Sequence, residues 1–209
     1  MELNIRPEII LHLKKDKKLS VLVENCHLNI HKGPLDVFND LIRSIVSQQL
    51  STSAAATIYN RFLNLMGDNA NISLEIQNKS IEELRSVGLS YQKANYIQNV
   101  AKYFTENELH HIDWQMWRDE HIITELTNIK GVGKWTVEMI LIFSLNREDV
   151  LPLDDLIIRN HMISLYGVTS EKKQLIADLT EIAESWRPYR SYACRYLWAA
   201  KDFSKNLKL

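Results

Sequence analysis

The chain has 209 residues, 45% of them hydrophobic and 24% charged, with 25 Lys and Arg against 26 Asp and Glu for a formal net charge of -1. That composition suits one globular domain or two small lobes sharing a core, and it excludes disordered chains and histone-like, bulk-electrostatic nucleic-acid binders. It leaves room for a nucleic-acid enzyme, because local placement of charge matters more than the total. Six Gly and four Pro are too few for an all-β fold built on many tight turns. Two cysteines, Cys26 and Cys194, exclude a disulfide scaffold and four-cysteine zinc or iron–sulfur sites. The segment Met1 to Pro7 lacks the apolar core of a signal peptide, and no stretch approaches the roughly 20 apolar residues of a membrane span. A soluble intracellular protein is expected, cytoplasmic, or nuclear in a eukaryote.

In chain order, the run Lys14-Lys15-Asp16-Lys17-Lys18 reads as a solvated face, and Leu19 to Val23 and Leu28 to Ile30 are short apolar runs that suit extended chain. From Asp36 to Leu65 the apolar residues Val37, Leu41, Ile45, Ile58, Phe62 and Leu65 fall mostly three or four apart, which predicts a helix pair. The second helix has N-cap hydroxyls at Ser51-Thr52-Ser53 and ends at Gly67-Asp68-Asn69. Ser80-Ile81-Glu82-Glu83 fits a capping box, with Gly88 closing that short helix. Ser90 caps a helix through Phe104. Another is expected from Asp113 through Trp114, Trp117 and His121 to Leu126. A Gly-x-Gly break precedes an apolar helix from Lys134 to Leu145. Asp154 caps a helix ending at Gly167, Thr169 or Ser170 begins one through Ser185, and Pro188 sits in the first turn of a last helix from Tyr189 to about Phe203. The fold class is all-α.

The chemistry concentrates in Leu126 to Thr136. A helix ends, Gly131-Val132-Gly133 turns tightly, and a new helix starts near Lys134. Glycine leaves no side chain in the way of a phosphate, and the amides of Val132, Gly133 and Lys134 are expected to face outward at a helix N-terminus, where the dipole favours an anion. An ordinary helix C-cap and turn explain the same three residues equally well. Further on, Asp154-Asp155 opens a helix directly after an apolar segment with a proline. One carboxylate is expected to cap and the other to face a cleft, although chemistry alone favours both serving as caps.

Taken together, Ile129 to Thr136 followed by Leu151-Pro152-Leu153-Asp154-Asp155 resembles the helix-hairpin-helix DNA glycosylase superfamily, above all its 3-methyladenine DNA glycosylase II branch. Ser44-Ile45-Val46-Ser47-Gln48-Gln49-Leu50-Ser51, Gly88 to Ala94, and Trp186-Arg187-Pro188-Tyr189-Arg190-Ser191-Tyr192-Ala193 continuing to Trp198 match its other signatures in order. The similarity spans about Phe38 to Trp198.

The resemblance implies two helical lobes, residues 35–150 with the hairpin at 126–140 and residues 1–34 plus 151–209, with an active-site cleft between them. It makes Asp155 the catalytic aspartate and Trp135 and Trp198 aromatic walls of the base pocket, with Met139 as a soft wall. Gln48, Gln49 or Leu50 fills the gap left by a flipped nucleotide, with Gln49 favoured. Gly131, Val132, Gly133, Lys134 and Thr136 contact the DNA backbone, and the Ile129 carbonyl is a candidate ligand for a monovalent cation. No other cofactor is expected. Lyase-capable relatives carry a Lys where Trp135 stands, and a Schiff base needs that amine, so a monofunctional hydrolase is implied. With Cys194 alone near the C-terminus, no iron–sulfur cluster is implied either.

The implied substrate is double-stranded DNA carrying alkylated purines such as 3-methyladenine, acted on by a monomer away from membranes in base excision repair. Methylation at adenine N3 or guanine N7 leaves the base positively charged, so an electron-rich indole gains cation–π energy on the order of 1–2 kcal/mol. Alternatives are another lesion (uracil, a mismatched base or an oxidised purine) or a non-catalytic helix-hairpin-helix DNA-binding module. Tyr91, Trp114, Trp117, Trp186, Tyr189 and Tyr192 are read as packing residues. Arg159 is expected to pair with Asp155 or another helix acid, and Glu138 suits either a polar pocket or a solvated face. His27, His31, His110, His111 and His161 show no metal-ligand spacing and read as surface residues.

Overall fold

The computed structural model of the protein describes residues 2–3, 5–28, 30–31, 35–67 and 71–203. Its helices are α1 (Pro7–Leu13), α2 (Leu19–Asn25), α3 (Val37–Ser47), α4 (Thr52–Met66), α5 (Ile72–Asn78), α6 (Ile81–Ser86) and α7 (Tyr91–Glu106). There follow α8 (Asp119–Thr127), α9 (Lys134–Met139), α10 (Leu156–Tyr166), α11 (Lys172–Glu184) and α12 (Arg190–Phe203). A two-residue antiparallel ladder pairs β1 (Glu2–Leu3) with β2 (Ile30–His31). No described helix is long and apolar enough to cross a membrane.

Two compact units share the chain, 1–34 with 141–209, and 35–140. The division falls at Ile140 rather than near 150, so the segment carrying Phe143 and Asp149 belongs with the unit that holds Asp155.

Local chemistry sets the helix ends in the 35–140 unit. Asp36, Ser51, Asn71, Ser80 and Ser90 each accept a backbone amide at an N-cap, and the Ser80–Glu83 capping box is complete. Gly67 caps α4, while Asp68 and Asn69, expected to end it jointly, lie outside the described residues. The long helix α7 packs against α3, α5 and α6, burying Ile97, Val100, Ala101 and Phe104. The helix expected from Asp113 to Leu126 is broken. Asp113 caps only the short 3-10 turn Trp114–Met116, Trp117 and Arg118 are extended, and α8 begins at Asp119.

The other unit is built around Trp186, Met162, Leu179, Leu197 and Ile9. Here α12 packs on α10 and on α2. Leu19 to Val23, a run open to either an extended or a helical reading, lies in α2; Leu19, Leu22 and Val23 turn inward from one helical face. Asp16, read as part of a solvated face, is half-buried and ties three segments together. It accepts from the Lys18 and Leu19 amides, from Tyr166 Oη at 2.6 Å and from Trp186 Nε1 at 3.1 Å. Helix α11 starts at Lys172 after Glu171, and the Ser170 hydroxyl, expected at the cap, bonds Asp178 instead. Helix α12 starts at Arg190, so Pro188 lies ahead of it rather than in its first turn.

Candidate active site

The hairpin lies wholly within the 35–140 unit. Helix α8 ends at Thr127, a tight turn follows, and α9 opens at Lys134 with Gly133 as its N-cap. Gly131 is required twice over. Its φ is +108°, and a Cβ there would come within 2.2 Å of the Tyr96 ring. Gly133 differs, because its φ of -93° is ordinary and a Cβ would meet nothing within 4 Å. Nothing in the fold asks for glycine at 133, so its bare backbone leaves space for an approaching ligand.

The Val132 amide donates to the Ile129 carbonyl at 3.0 Å and the Val132 side chain is buried, so this amide faces into the turn rather than outward. The opening amides of α9 have no acceptor within the helix, by the geometry of any helix start. Lys134 reaches Glu138 at 3.4 Å. Glu138 is 3% exposed, which excludes the solvated-face reading, and Thr136 is buried as well. Trp135 is 39% exposed, and Met139 is half-buried. The Ile129 carbonyl already accepts Val132, and the Lys130 carbonyl accepts Asn99 Nδ2 at 3.1 Å. Among the described residues no group of three or more His, Cys, Asp or Glu is placed to hold a metal ion; the His31 side chain lies outside them.

Between α3 and α4, Gln49 adopts φ +58°, a left-handed conformation uncommon for a residue with a side chain. Gln49 and Leu50 are exposed at this turn, while Gln48 is half-buried. Tyr91, read as a packing residue, is 61% exposed at the start of α7. It shares a shallow polar groove with Gln92, Asn95, Tyr96, Asn99 and Lys130. Trp114 and Trp186 are buried as expected.

Asp155 lies in the other unit. Sequence reasoning gave the cap to Asp154, but Asp155 is the N-cap of α10, with Oδ1 accepting from the Ile157 and Ile158 amides at 2.9 and 3.0 Å. Trp198 Nε1 donates to the same oxygen at 3.2 Å. Asp155 is 8% exposed, whereas Asp154 is exposed. Two adjacent aspartates compete for one cap, and the one whose neighbours bury it wins. Three donors on one oxygen fix the carboxylate plane at a helix N-terminus, where the dipole favours negative charge. Arg159, expected to pair with an acid, donates to the Leu153 carbonyl at 3.4 Å.

Helix α12 is pinned to the segment that leads to Asp155. Asp149 bridges Arg187 and Arg190, each at 2.6 Å, and Ser191 Oγ accepts the Val150 amide at 2.9 Å. His161 Nδ1 lies 2.6 Å from the Leu197 carbonyl, linking α10 to α12 one residue from Trp198. Trp198 stacks obliquely on Phe143, ring centroids 5.3 Å apart. The Arg195 guanidinium lies over that Phe143 ring at 4.6 Å and donates to the Ile142 carbonyl at 2.7 Å. Burial holds the Arg195 guanidinium below its usual pKa. These three side chains line a cavity of about 250 Å³ with His27, Leu28, Ile30 and Ala199.

Phe143 and Arg195 escaped the sequence reading. The chain forms a π turn at Ile140–Ser144, which shifts the helical phase and turns Phe143 outward. The spacing of Arg195 from Trp198, three residues on one helix, was the one available signal.

Residues 42–188 match the HhH-GPD superfamily of base excision DNA repair proteins, and the chain belongs to that superfamily. It is 35% identical over 204 residues to DNA-3-methyladenine glycosylase 1 of Schizosaccharomyces pombe, covering 92% of this chain and 86% of that protein. The structure of the S. pombe 3-methyladenine DNA glycosylase Mag1 in complex with abasic DNA is similar at a TM-score of 0.75 and 34% identity, over 93% of this chain and 97% of that one. A DNA-3-methyladenine glycosidase from Bacillus halodurans is similar at a TM-score of 0.81 and 32% identity, over 97% of this chain and 93% of that one.

Proposed function

We propose that this protein is a monofunctional DNA glycosylase that hydrolyses the N-glycosidic bond of alkylated purines such as 3-methyladenine in double-stranded DNA. The observation that carries this reading is Asp155, a carboxylate locked at the start of α10 by two backbone amides and the Trp198 indole. It stands in a chain similar over nearly its whole length to proteins named for that activity.

A base within a duplex is out of reach, so it must be extruded, at a cost of a few kcal/mol of unstacking. Gln49, exposed on its left-handed turn, is assigned to fill the vacated space, with Gln48 and Leu50 beside it. The hairpin, with its bare backbone at Gly133 and the flanking Lys134, is assigned to a DNA phosphate. The Trp198 and Trp135 indoles are faces for a cationic purine, and Met139 is a polarisable neighbour of Trp135. As the C1′–N bond breaks, its electron pair leaves with the purine, which departs neutral if it was cationic. The sugar gains oxocarbenium character, which the Asp155 carboxylate stabilises directly or by orienting water that then bonds to C1′ and releases a proton. Trp135, where lyase-capable relatives carry a lysine, supplies no amine for strand cleavage. The Ile129 carbonyl, candidate ligand of a monovalent cation, takes no part in these steps.

One observation favours a second lesion class. Arg195 places positive charge over Phe143, beside Trp198, and opposes a cationic base on that side. A neutral purine with acceptor atoms on its edge would suit it better. Duplexes carrying a single 7-methylguanine, hypoxanthine or uracil, together with bulk-methylated DNA for 3-methyladenine, separate the two by chromatography of the freed base. Release of 3-methyladenine and 7-methylguanine ahead of hypoxanthine and uracil is expected. Preference for hypoxanthine would move the assignment to neutral purines, and no release from any substrate would overturn it.

A further inference from the structure

In the 35–140 unit, Lys93 occupies a position that helix stability alone does not explain. It is the third residue of α7, where the helix dipole disfavours a cation, and it is half-buried. Burial lowers its pKa. The compensation lies across the unit, at the end of α3.

The last carbonyls of a helix lack intrahelical donors. At the end of α3, Ile45 accepts from the Gln48 amide and Ser47 from the Leu50 amide. Val46 and Gln48 instead accept from Lys93 Nζ, at 2.8 and 2.7 Å. One ammonium thus bridges the carbonyls on both sides of Ser47, immediately before Gln49 at φ +58°. A left-handed residue with a side chain persists only where its surroundings over-determine it. The negative end of the α3 dipole adds to the attraction.

We propose that Lys93 is a positioning residue for the gap-filling turn Gln48-Gln49-Leu50. It holds the turn in its left-handed form before DNA arrives, so that Gln49 enters the vacated space without first ordering the loop. The proposal rests on the base-flipping reading above.

Gap filling matters only where a partner strand leaves a gap. The test is therefore the ratio of single-turnover release of 7-methylguanine from a duplex to release from the same strand alone, for wild type, Lys93→Met, Lys93→Gln and Lys93→Arg. The expected result is a fall of about tenfold in that ratio for Met and Gln, with Arg restoring most of it. A merely structural lysine would lower both rates together and leave the ratio unchanged, which would overturn the proposal. Hydrogen exchange at the amides of residues 48–51 gives a readout independent of activity. Faster exchange in the Met variant, confined to this turn, is expected, and unchanged exchange would overturn the proposal even if no base were released. If wild type releases nothing while exchange changes as expected, the glycosylase reading fails and the positioning role stands.

Discussion

Gly131 and Gly133 look interchangeable in the sequence and have different jobs. A methyl group at 131 would enter the Tyr96 ring and also force a side chain onto a left-handed backbone, while one at 133 would enter open space. Gly131→Ala is therefore expected to lose about 3 kcal/mol of stability. Gly133→Ala should lose no more than about 1 kcal/mol, the difference between Gly and Ala at an N-cap. Denaturant titration separates these outcomes, and DNA-binding titration should show Gly133→Ala weakened despite its intact fold. Equal stability losses would mean that the hairpin glycines serve the fold alone. Asp154 and Asp155 teach the reverse lesson. Their spacing marked the right helix start, but which of them capped it depended on burial by Trp198 and the core, which no local pattern records.

At the scale of elements, Ser51, Ser80, Ser90 and Gly167 were legible because a cap is settled within four residues of sequence. The seven-residue helices α1, α2 and α5 were not, since a short apolar run fits a buried helix turn as well as a strand. The break at Trp117 and the π turn at Ile140–Ser144 were equally hidden. Both depart from the helical period on which the sequence reading rests. Asp16 joins the loop between α1 and α2 to Tyr166 and Trp186, far away in sequence, so its part in the fold was invisible as well. Burial pushes its carboxyl up, but the Tyr166, Trp186 and backbone hydrogen bonds outweigh that and leave its pKa lowered. The sign follows. A carboxylate with a lowered folded-state pKa contributes stability above its unfolded pKa, near about 4, and loses it as pH falls through the folded value. Asp16→Ala leaves a half-buried hydroxyl and the Trp186 indole N–H without this acceptor, and a loss of about 1–3 kcal/mol is expected at neutral pH. Stability of wild type and variant should converge as pH drops below about 4. A gap independent of pH would contradict the role assigned to the charge.

For the whole molecule, a net charge of -1 argued only against bulk electrostatic binding. The two compact units show where function can reside without it. One carries a bare hairpin backbone, an exposed glutamine on a pinned turn and a polar groove on α7. The other carries a cavity lined by Trp198, Phe143 and Arg195, with Asp155 hydrogen-bonded to the Trp198 indole. The order of motifs along the chain marks the family in the sequence itself, because each motif's local geometry is encoded within about ten residues. The ion pairs of Asp149 with Arg187 and Arg190, which bind the start of α12 to the segment before Asp155, needed the three-dimensional arrangement to be seen. In the proposed function the Asp155 carboxylate drives base release. Asp155→Asn keeps an acceptor oxygen for Ile157, Ile158 and Trp198 while removing the negative charge. The decisive measurement is release of 3-methyladenine from methylated duplex DNA by wild type and by this variant at matched thermal stability. Wild-type release that falls by about 100-fold or more in Asp155→Asn is expected, and equal release by the two proteins would contradict the assignment.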